Sequence, residues 1–399
     1  MSTVVALGDV VVRATGTRNP AASPSAEFSY VDVAAVDNVR KIITGARQLL
    51  GADAPSRARK VIRAGDVLVS TVRPNLNAVA LVPPELDGQI ASTGFCVLRA
   101  TQHVLPDYLF FYVQSKGFIE SLTRLVAGAM YPAVMDAQVL SQTIPLPDLK
   151  EQRRVVDLLS RFEGIVWLRR EAQKKAAEII PALFLDMFGD PATNAKGFVN
   201  IRLADIAEVV SGITKGRKLN GRAARPVPYL RVANVQAGFL NLDEMKEIEA
   251  TDVEIEALKL RSGDIVLTEG GDFDKLGRGA QWRGEIPTCI HQNHVFRVRL
   301  RSEVAVPDYF EAYLQTSAAK SYFLSVAKRT TNLASINMTQ LRNLPVALPP
   351  IATQREFSER VAATHSIVSF QGSAIEKSEV AFAALLTQAF SSGESTSAS

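Results

Sequence analysis

The sequence predicts an α+β protein made by internal tandem duplication. Two similar mixed α/β domains are each followed by a long helix, and the helices bury each other as a coiled coil. Three observations predict this. From Lys150 to Phe188, apolar residues return every three or four positions, at Val155, Leu158, Phe162, Ile165, Ala172, Ala176, Ile179, Leu183 and Met187. That spacing stacks them on one helical face. A second stripe runs through Phe357, Val361, Val368, Ile375, Phe382, Leu385, Leu386 and Phe390. Short motifs also recur in constant order, with an offset near 200 residues, a period that suits a duplicated domain.

The elements follow in order. Residues 1–148 form the first globular part, with Val67-Leu68-Val69 as a buried strand after a Gly-Asp turn and Asp107 to Leu125 as a helix. The first long helix, 149–190, is bracketed by Pro147, Gly189 and Pro191. At roughly 1.5 Å per residue, the stretch from Lys150 to Phe188 is a rod of about 58 Å. Its outer faces are expected to carry Arg153, Arg154, Arg169, Arg170, Lys174 and Lys175. The second globular part, 191–349, has Ile265-Val266-Leu267 as a buried strand. There His294 to Leu300 alternates like a strand with one wet face, and Asp308 to Val326 reads as a helix. The second long helix, 350–390, contains Gly372, which costs about 1 kcal/mol against Ala. The tail, 391–399, is small and polar and is expected to be disordered. Each globular part should hold an antiparallel or mixed sheet.

The repeat is legible motif by motif. Leu7-Gly8-Asp9-Val10 returns as Leu203-Ala204-Asp205-Ile206, and Tyr30-Val31 as Tyr229-Leu230. Arg63-Ala64-Gly65-Asp66 returns as Arg261-Ser262-Gly263-Asp264. Pro106-Asp107-Tyr108 with Tyr112 returns as Pro307-Asp308-Tyr309 with Tyr313. Pro147 to Gln152 is echoed by Pro349 to Gln354. Between these markers, residues 34–60 and 70–92 scarcely match 233–260 and 269–292. A shared frame with unlike inserts points to two sites of one kind with different specificities.

Composition sets the outer bounds. The chain has 399 residues and a formal charge of +4, a weak push towards polyanions. Cys96 and Cys289 are its only cysteines, too few for a disulfide framework, so a reduced, cytoplasmic setting is expected. No apolar run approaches the roughly 20 residues that span a bilayer.

The pattern resembles the specificity subunit of a Type I DNA restriction–modification system. The marks are Ile144-Pro145-Leu146-Pro147-Asp148-Leu149-Lys150-Glu151-Gln152 at the start of the first long helix and Phe184-Leu185-Asp186-Met187-Phe188-Gly189-Asp190-Pro191 at its end. The second copy has Thr353 where the first has Glu151, while Gln354 and Arg355 remain. The resemblance implies that each globular part is a target-recognition domain reading half of a split site on double-stranded DNA. It also implies that the helices pack antiparallel and that the chain is not itself catalytic. Two adenine-N6 methyltransferase subunits would be recruited, which bind S-adenosylmethionine themselves, and two restriction subunits in systems that cleave. No cofactor is expected on this chain.

Reading DNA needs hydrogen-bonding side chains at base edges and cations on phosphates. In the second domain the Gly-rich run Glu269 to Arg283 offers Lys275, Arg278, Gln281 and Arg283. Gln292 and Asn293 follow it. The basic run before it offers Lys215, Arg217, Lys218 and Arg222, and a third segment offers Thr330, Thr331 and Asn332 after Lys328 and Arg329. By position that third segment matches Gly128 to Met135, where Tyr131 is read as packing. In the first domain the candidates are Arg57, Arg59, Lys60, Arg73, Asn75 and Asn77. Exposed charge runs of this kind are more often merely solvated.

Chemistry is not visible. Pro83-Pro84 and Pro349-Pro350 follow Val82 and Leu348, so neither makes an adenine-N6 methyltransferase motif. No phosphate-binding glycine loop is found, and the pair His291 and His294 lacks further ligands for a metal. The alternative reading is a standalone DNA-modifying or DNA-cutting enzyme with unrecognised motifs.

Overall fold

The computed structural model describes residues 3–12, 16–126, 132–219, 221–329 and 333–391. Tyr131, Thr330, Thr331, Asn332 and the tail from 392 onward lie outside the described residues. The chain divides into two compact units, Met1–Arg170 with Ser373–Ser399, and Glu171–Gly372. Each unit joins a globular part to the start of one long helix and the end of the other.

In the first unit, Val67–Ser70 pairs antiparallel with Phe95–Leu98 and Val79–Leu81. A second sheet orders Arg47–Leu50, Glu27–Val31, Ile90–Ser92 and Ala58–Val61, with the middle pair parallel. The second unit repeats this scheme. Ile265–Thr268 lies between Val295–Leu300 and Gly279–Gln281, and Arg225–Leu230 runs parallel to Ile290–His291. Both sheets systems are thus mixed, as expected. The strand Val295–Leu300 differs from its expected wet face: Val295, Phe296, Arg297 and Val298 are all buried. Arg297 occupies a polar slot in the alternation without reaching solvent. Its guanidinium donates to Ala257 O at 3.0 Å and pairs with Glu208 at 3.3 Å.

The single helices expected after Asp107 and Asp308 are each broken in two. Pro106–Tyr112 is followed by Lys116–Leu125, and Pro307–Leu314 by Ser317–Val326. Ser115 and Thr316 cap the second members, accepting from Phe118 N and Ala319 N at 3.4 Å. A hydroxyl that satisfies a free helix N–H favours a new start at that point.

Buried polar groups tie each long helix to its domain in the same way twice. Gln152 and Gln354 are both 0% exposed. Gln152 Oε1 accepts from Leu105 N at 2.9 Å, and its amide donates to His103 O at 3.0 Å and Pro147 O at 2.9 Å. Gln354 accepts from Val306 N at 2.9 Å and donates to Val304 O at 3.2 Å and Pro349 O at 2.8 Å. Asp66 and Asp264, each 1% exposed, receive two-pronged bonds from Arg99 and Arg299 at 2.7–2.8 Å. Tyr108 and Tyr112 donate to Pro145 O and Thr143 O, as Tyr309 and Tyr313 donate to Ala347 O and Pro345 O. These acceptors lie on the strands Thr143–Leu146 and Pro345–Leu348, which lead into the long helices.

The long helices run Leu149–Phe188 and Ile351–Phe390. In the first unit Tyr108 and Tyr112 pack edge-on against Phe390, at 5.2 and 5.5 Å between ring centroids. In the second, Phe184 stacks on Tyr309 at 5.5 Å and meets Phe357 at 5.8 Å. The helices pair antiparallel: Arg169 reaches Ala374 O and Ser378 Oγ at 2.5 Å, whereas Phe188 meets Phe357 at 5.3 Å.

The seam of the first helix departs from the sequence reading. Buried positions are Gln152, Leu159, Val166, Ala176, Phe184 and Phe188, while Leu158, Ile165 and Ile179 face solvent. Gln152, Leu159 and Val166 keep a heptad spacing, which an undistorted 3.6-residue helix does not hold. Arg169 and Arg170, expected on the outer face, lie on this seam. Arg170 Nε donates to Glu379 at 3.0 Å. The second stripe, including Ile375 and Leu386, is buried largely as expected.

Replacing Gln152 or Gln354 by Leu should destabilise the chain by about 3 kcal/mol, because each strands buried N–H and C=O groups. Glu151→Thr should cost under about 0.5 kcal/mol, since Glu151 makes only an exposed pair with Arg154. Urea unfolding of the three variants checks both.

Candidate nucleic-acid interface

In both units the strand that leaves the core ends in a loop hooked by the same backbone bonds. In the first, Thr71 N donates to Gly94 O and Val134 N donates to Thr71 O, both at 2.9 Å. In the second, Glu269 N donates to His294 O at 3.0 Å and Ile336 N to Glu269 O at 2.8 Å. The loops therefore occupy equivalent places, at 71–77 and 269–277, and carry different side chains.

In the first unit, Arg57, Arg73 and Asn75 are exposed, and Asn77 is half-buried. Arg73 and Asn77 bracket the turn Pro74–Leu76 in the left-handed region, with φ of 49° and 46°. Lys41, which the sequence did not single out, also has positive φ, 55°, and donates from Nζ to Asn77 O at 2.6 Å. Burial pushes its ammonium down to about 8. Two expected DNA contacts are otherwise engaged. Lys60 binds Phe95 O at 2.5 Å and the Asp136 carboxylate, so its charge is neutralised inside the unit. Arg59 is half-buried and donates to Ala58 O at 2.8 Å.

In the second unit, Lys215, Lys218 and Arg222 are exposed. Arg217 lies within the same run but makes a two-pronged bond to Glu254, at 2.7 and 2.8 Å, and donates to Glu249 O. That guanidinium, with the Thr251 cap, holds Glu254 down to about 2. Lys275 pairs with Asp272, lowering that carboxyl. Arg278 donates to Gln236 at 2.7 Å, and its Nε is buried.

Gln281 does not present its amide outward. Its Oε1 is buried, and its N–H donates to Glu311 at 2.8 Å. Arg283 pairs with Glu311 at 3.0 Å and lies 3.3 Å from His365 on the long helix, so it joins domain to helix. Burial raises the Glu311 carboxyl. These residues sit in or beside Gly279–Gln281, an edge strand whose side chains turn to the unit's own helices. Position in a Gly-rich run does not reveal that direction.

Gln292 and Asn293 are half-buried, and their backbones bridge to Leu230 and Ile213. His291 is buried, and its Nδ1 donates to Val295 O at 2.6 Å. Burial pushes it down to about 4, so it is neutral at pH 7. His294 is exposed and its Nδ1 lies 2.5 Å from Glu269 Oε2. Arg329 stands over the Phe273 ring at 5.7 Å. Glu269 and His294 form a polar pair that sequence reasoning gave no role, because 25 residues separate them.

Lys215→Ala should lower DNA affinity for any sequence and reduce the salt slope by about 1. Arg217→Ala should leave that slope unchanged and instead lower stability by about 1 kcal/mol. Salt titrations of binding, with thermal unfolding, separate the two. The low Glu254 value also has a pH signature. Its stabilisation is present above about 4.5 and is lost as pH falls towards 2. Acid unfolding of Glu254→Gln should therefore be less steep in that window.

Comparisons with known proteins agree with this arrangement. Residues 53–178 match the family described as the Type I restriction modification DNA specificity domain. The EcoKI specificity subunit of Escherichia coli strain K12 is 23% identical over 67% of this chain and 60% of its own length. The HindI specificity subunit of Haemophilus influenzae is 25% identical over 47% and 43%. The chain thus aligns with about half the length of these curated relatives. A solved chain from a study of complex assembly in the type I R-M system is 29% identical, with a TM-score of 0.66 and 97% of each chain covered.

Proposed function

We propose, for a chain that belongs to the specificity subunits of type I restriction–modification systems, that each unit reads one half of a split site on double-stranded DNA. The observation that carries this is the contrast between frame and loop. Gln152 and Gln354, Asp66 and Asp264, and the tyrosine pairs are duplicated bond for bond. The hooked loops on that frame present Arg73 and Asn75 in one unit and Asp272 and Lys275 in the other, where the Glu269–His294 pair lies at the hook. A duplicated scaffold with unlike polar surfaces is what two half-sites of different sequence require. Arg57, Arg73, Asn75, Lys215, Lys218 and Arg222 are the exposed groups left to meet DNA.

The chain works without catalysis of its own. Two adenine-N6 methyltransferase subunits supply the chemistry with S-adenosylmethionine, and restriction subunits join where the system cleaves. The long helices recruit the methyltransferase through faces outside the seam, where Leu158, Ile165 and Leu168 stand exposed in the first unit. No described helix is long and apolar enough to cross a membrane, and the reading places the assembly on DNA in the cytoplasm.

Expressed with its methyltransferase, the chain should give adenine methylation at one bipartite motif, and two methyltransferase chains should co-purify per copy. Methylation or cleavage by the purified chain alone would favour the standalone enzyme. The helices should also act as a ruler. One heptad inserted at matched positions in both keeps the seam in phase and adds about 10 Å. The spacer should then lengthen by up to about three base pairs. The half-sites should stay the same in the methylation map.

A further inference from the structure

The first unit carries a surface hollow of about 840 Å³ beside its hooked loop. Val33, Val72, Leu76 and Ala133 contribute apolar wall, and Arg57 and Arg73 stand among them. Val72 and Leu76 are 36% and 48% exposed, so apolar surface is held open to solvent in a concave place. Among the described residues neither arginine side chain has a hydrogen-bond or ion-pair partner, and no carboxylate lines the hollow.

The rim is held rigidly in an unfavourable conformation. Lys41, Arg73 and Asn77 are three of the four non-glycine residues with positive φ among the described residues. Such conformations persist only where the surroundings impose them, and they gather at functional sites. Here Arg73 N donates to Pro132 O at 2.8 Å and Lys41 Nζ to Asn77 O at 2.6 Å. The turn between them, Pro74–Leu76, presents Asn75 and Leu76 outward.

Unpaired guanidinium groups call for a polyanion, and an apolar wall calls for a non-polar group on that polyanion. In the major groove of DNA the only such group is the 5-methyl of thymine. We propose that this hollow reads thymine methyl groups in the half-site of the first unit, through Val72 and Leu76, with Arg57 and Arg73 on neighbouring guanine edges or phosphates. The proposal rests on the DNA-reading function above. The second unit does not read methyls at the equivalent place, because its loop carries the Glu269–His294 pair and Asp272.

The test uses the full chain with its methyltransferase subunits and the motif found by methylation mapping. A half-site that holds a methylated adenine holds a thymine opposite it, so uracil, which lacks only the methyl, can always be substituted. Uracil in one half-site should weaken binding about four-fold per contacted methyl, and uracil in the other should change nothing. The double variant Val72→Ala/Leu76→Ala, at two exposed positions, should abolish the uracil sensitivity of the first half-site while leaving the second half-site's sequence preference intact. Specific binding that ignores uracil in both halves, or sensitivity that survives in the double variant, overturns the methyl contact alone. Absence of any sequence-specific binding overturns the function on which it rests, and the methyl contact with it.

Discussion

A glutamine bonded to three backbone groups, buried where a strand turns into a forty-residue helix, is the joint on which the rest depends. A rod of that length has leverage, and an apolar contact alone sets no angle for it. Gln152 and Gln354 set the angle because an amide satisfies three fixed backbone groups in only one orientation. Leu105 N and Val306 N belong to the entries of the helices Pro106–Tyr112 and Pro307–Leu314, so the bond links rod to body directly. The tyrosines on those helices close the same joint from the other side by holding the strand that precedes the rod.

The far end of each rod is held differently, by aromatic packing. Phe184 and Phe188 insert beside Tyr309 and Phe357 in the second unit, and Phe390 beside Tyr108 and Tyr112 in the first. The tyrosines therefore do two tasks, with hydroxyls on the strand of one helix and rings on the end of the other. Between these ends the seam turns polar, with Arg169 and Arg170 bonded to Ala374, Ser378 and Glu379. Directional bonds of this kind fix register where a purely apolar stripe would allow slippage.

On this frame the two loop surfaces are free to differ. The backbone hooks at Thr71 and Glu269 are alike, so loop placement does not depend on the side chains that face outward. One surface is an apolar hollow flanked by free arginines, and the other carries paired polar groups, Glu269 with His294 and Asp272 with Lys275. Several basic residues beside these surfaces, Lys60, Arg217, Lys275 and Arg283 among them, pair with carboxylates of their own unit.

The sequence by itself determined the duplication, the α+β class and both rods, because the groups that build the frame lie in short local motifs. Gln152 and Gln354, Asp66 and Asp264, and the tyrosines keep their order, although the loops between them differ in length. The drift between Glu151 and Thr353 falls on half-buried positions, whereas the neighbouring glutamines are fully buried. Tertiary structure alone decided which of two apolar stripes on the first helix is buried. Leu158, Ile165 and Ile179 repeat at multiples of seven just as Leu159 and Val166 do, and only the partner helix chooses between them. It decided as well which cations are free. Arg217 and Lys215 are alike in sequence, yet Glu254 folds against one and leaves the other to solvent. Periodicity is a property of the chain, whereas the neutralisation of a charge depends on what the fold brings beside it.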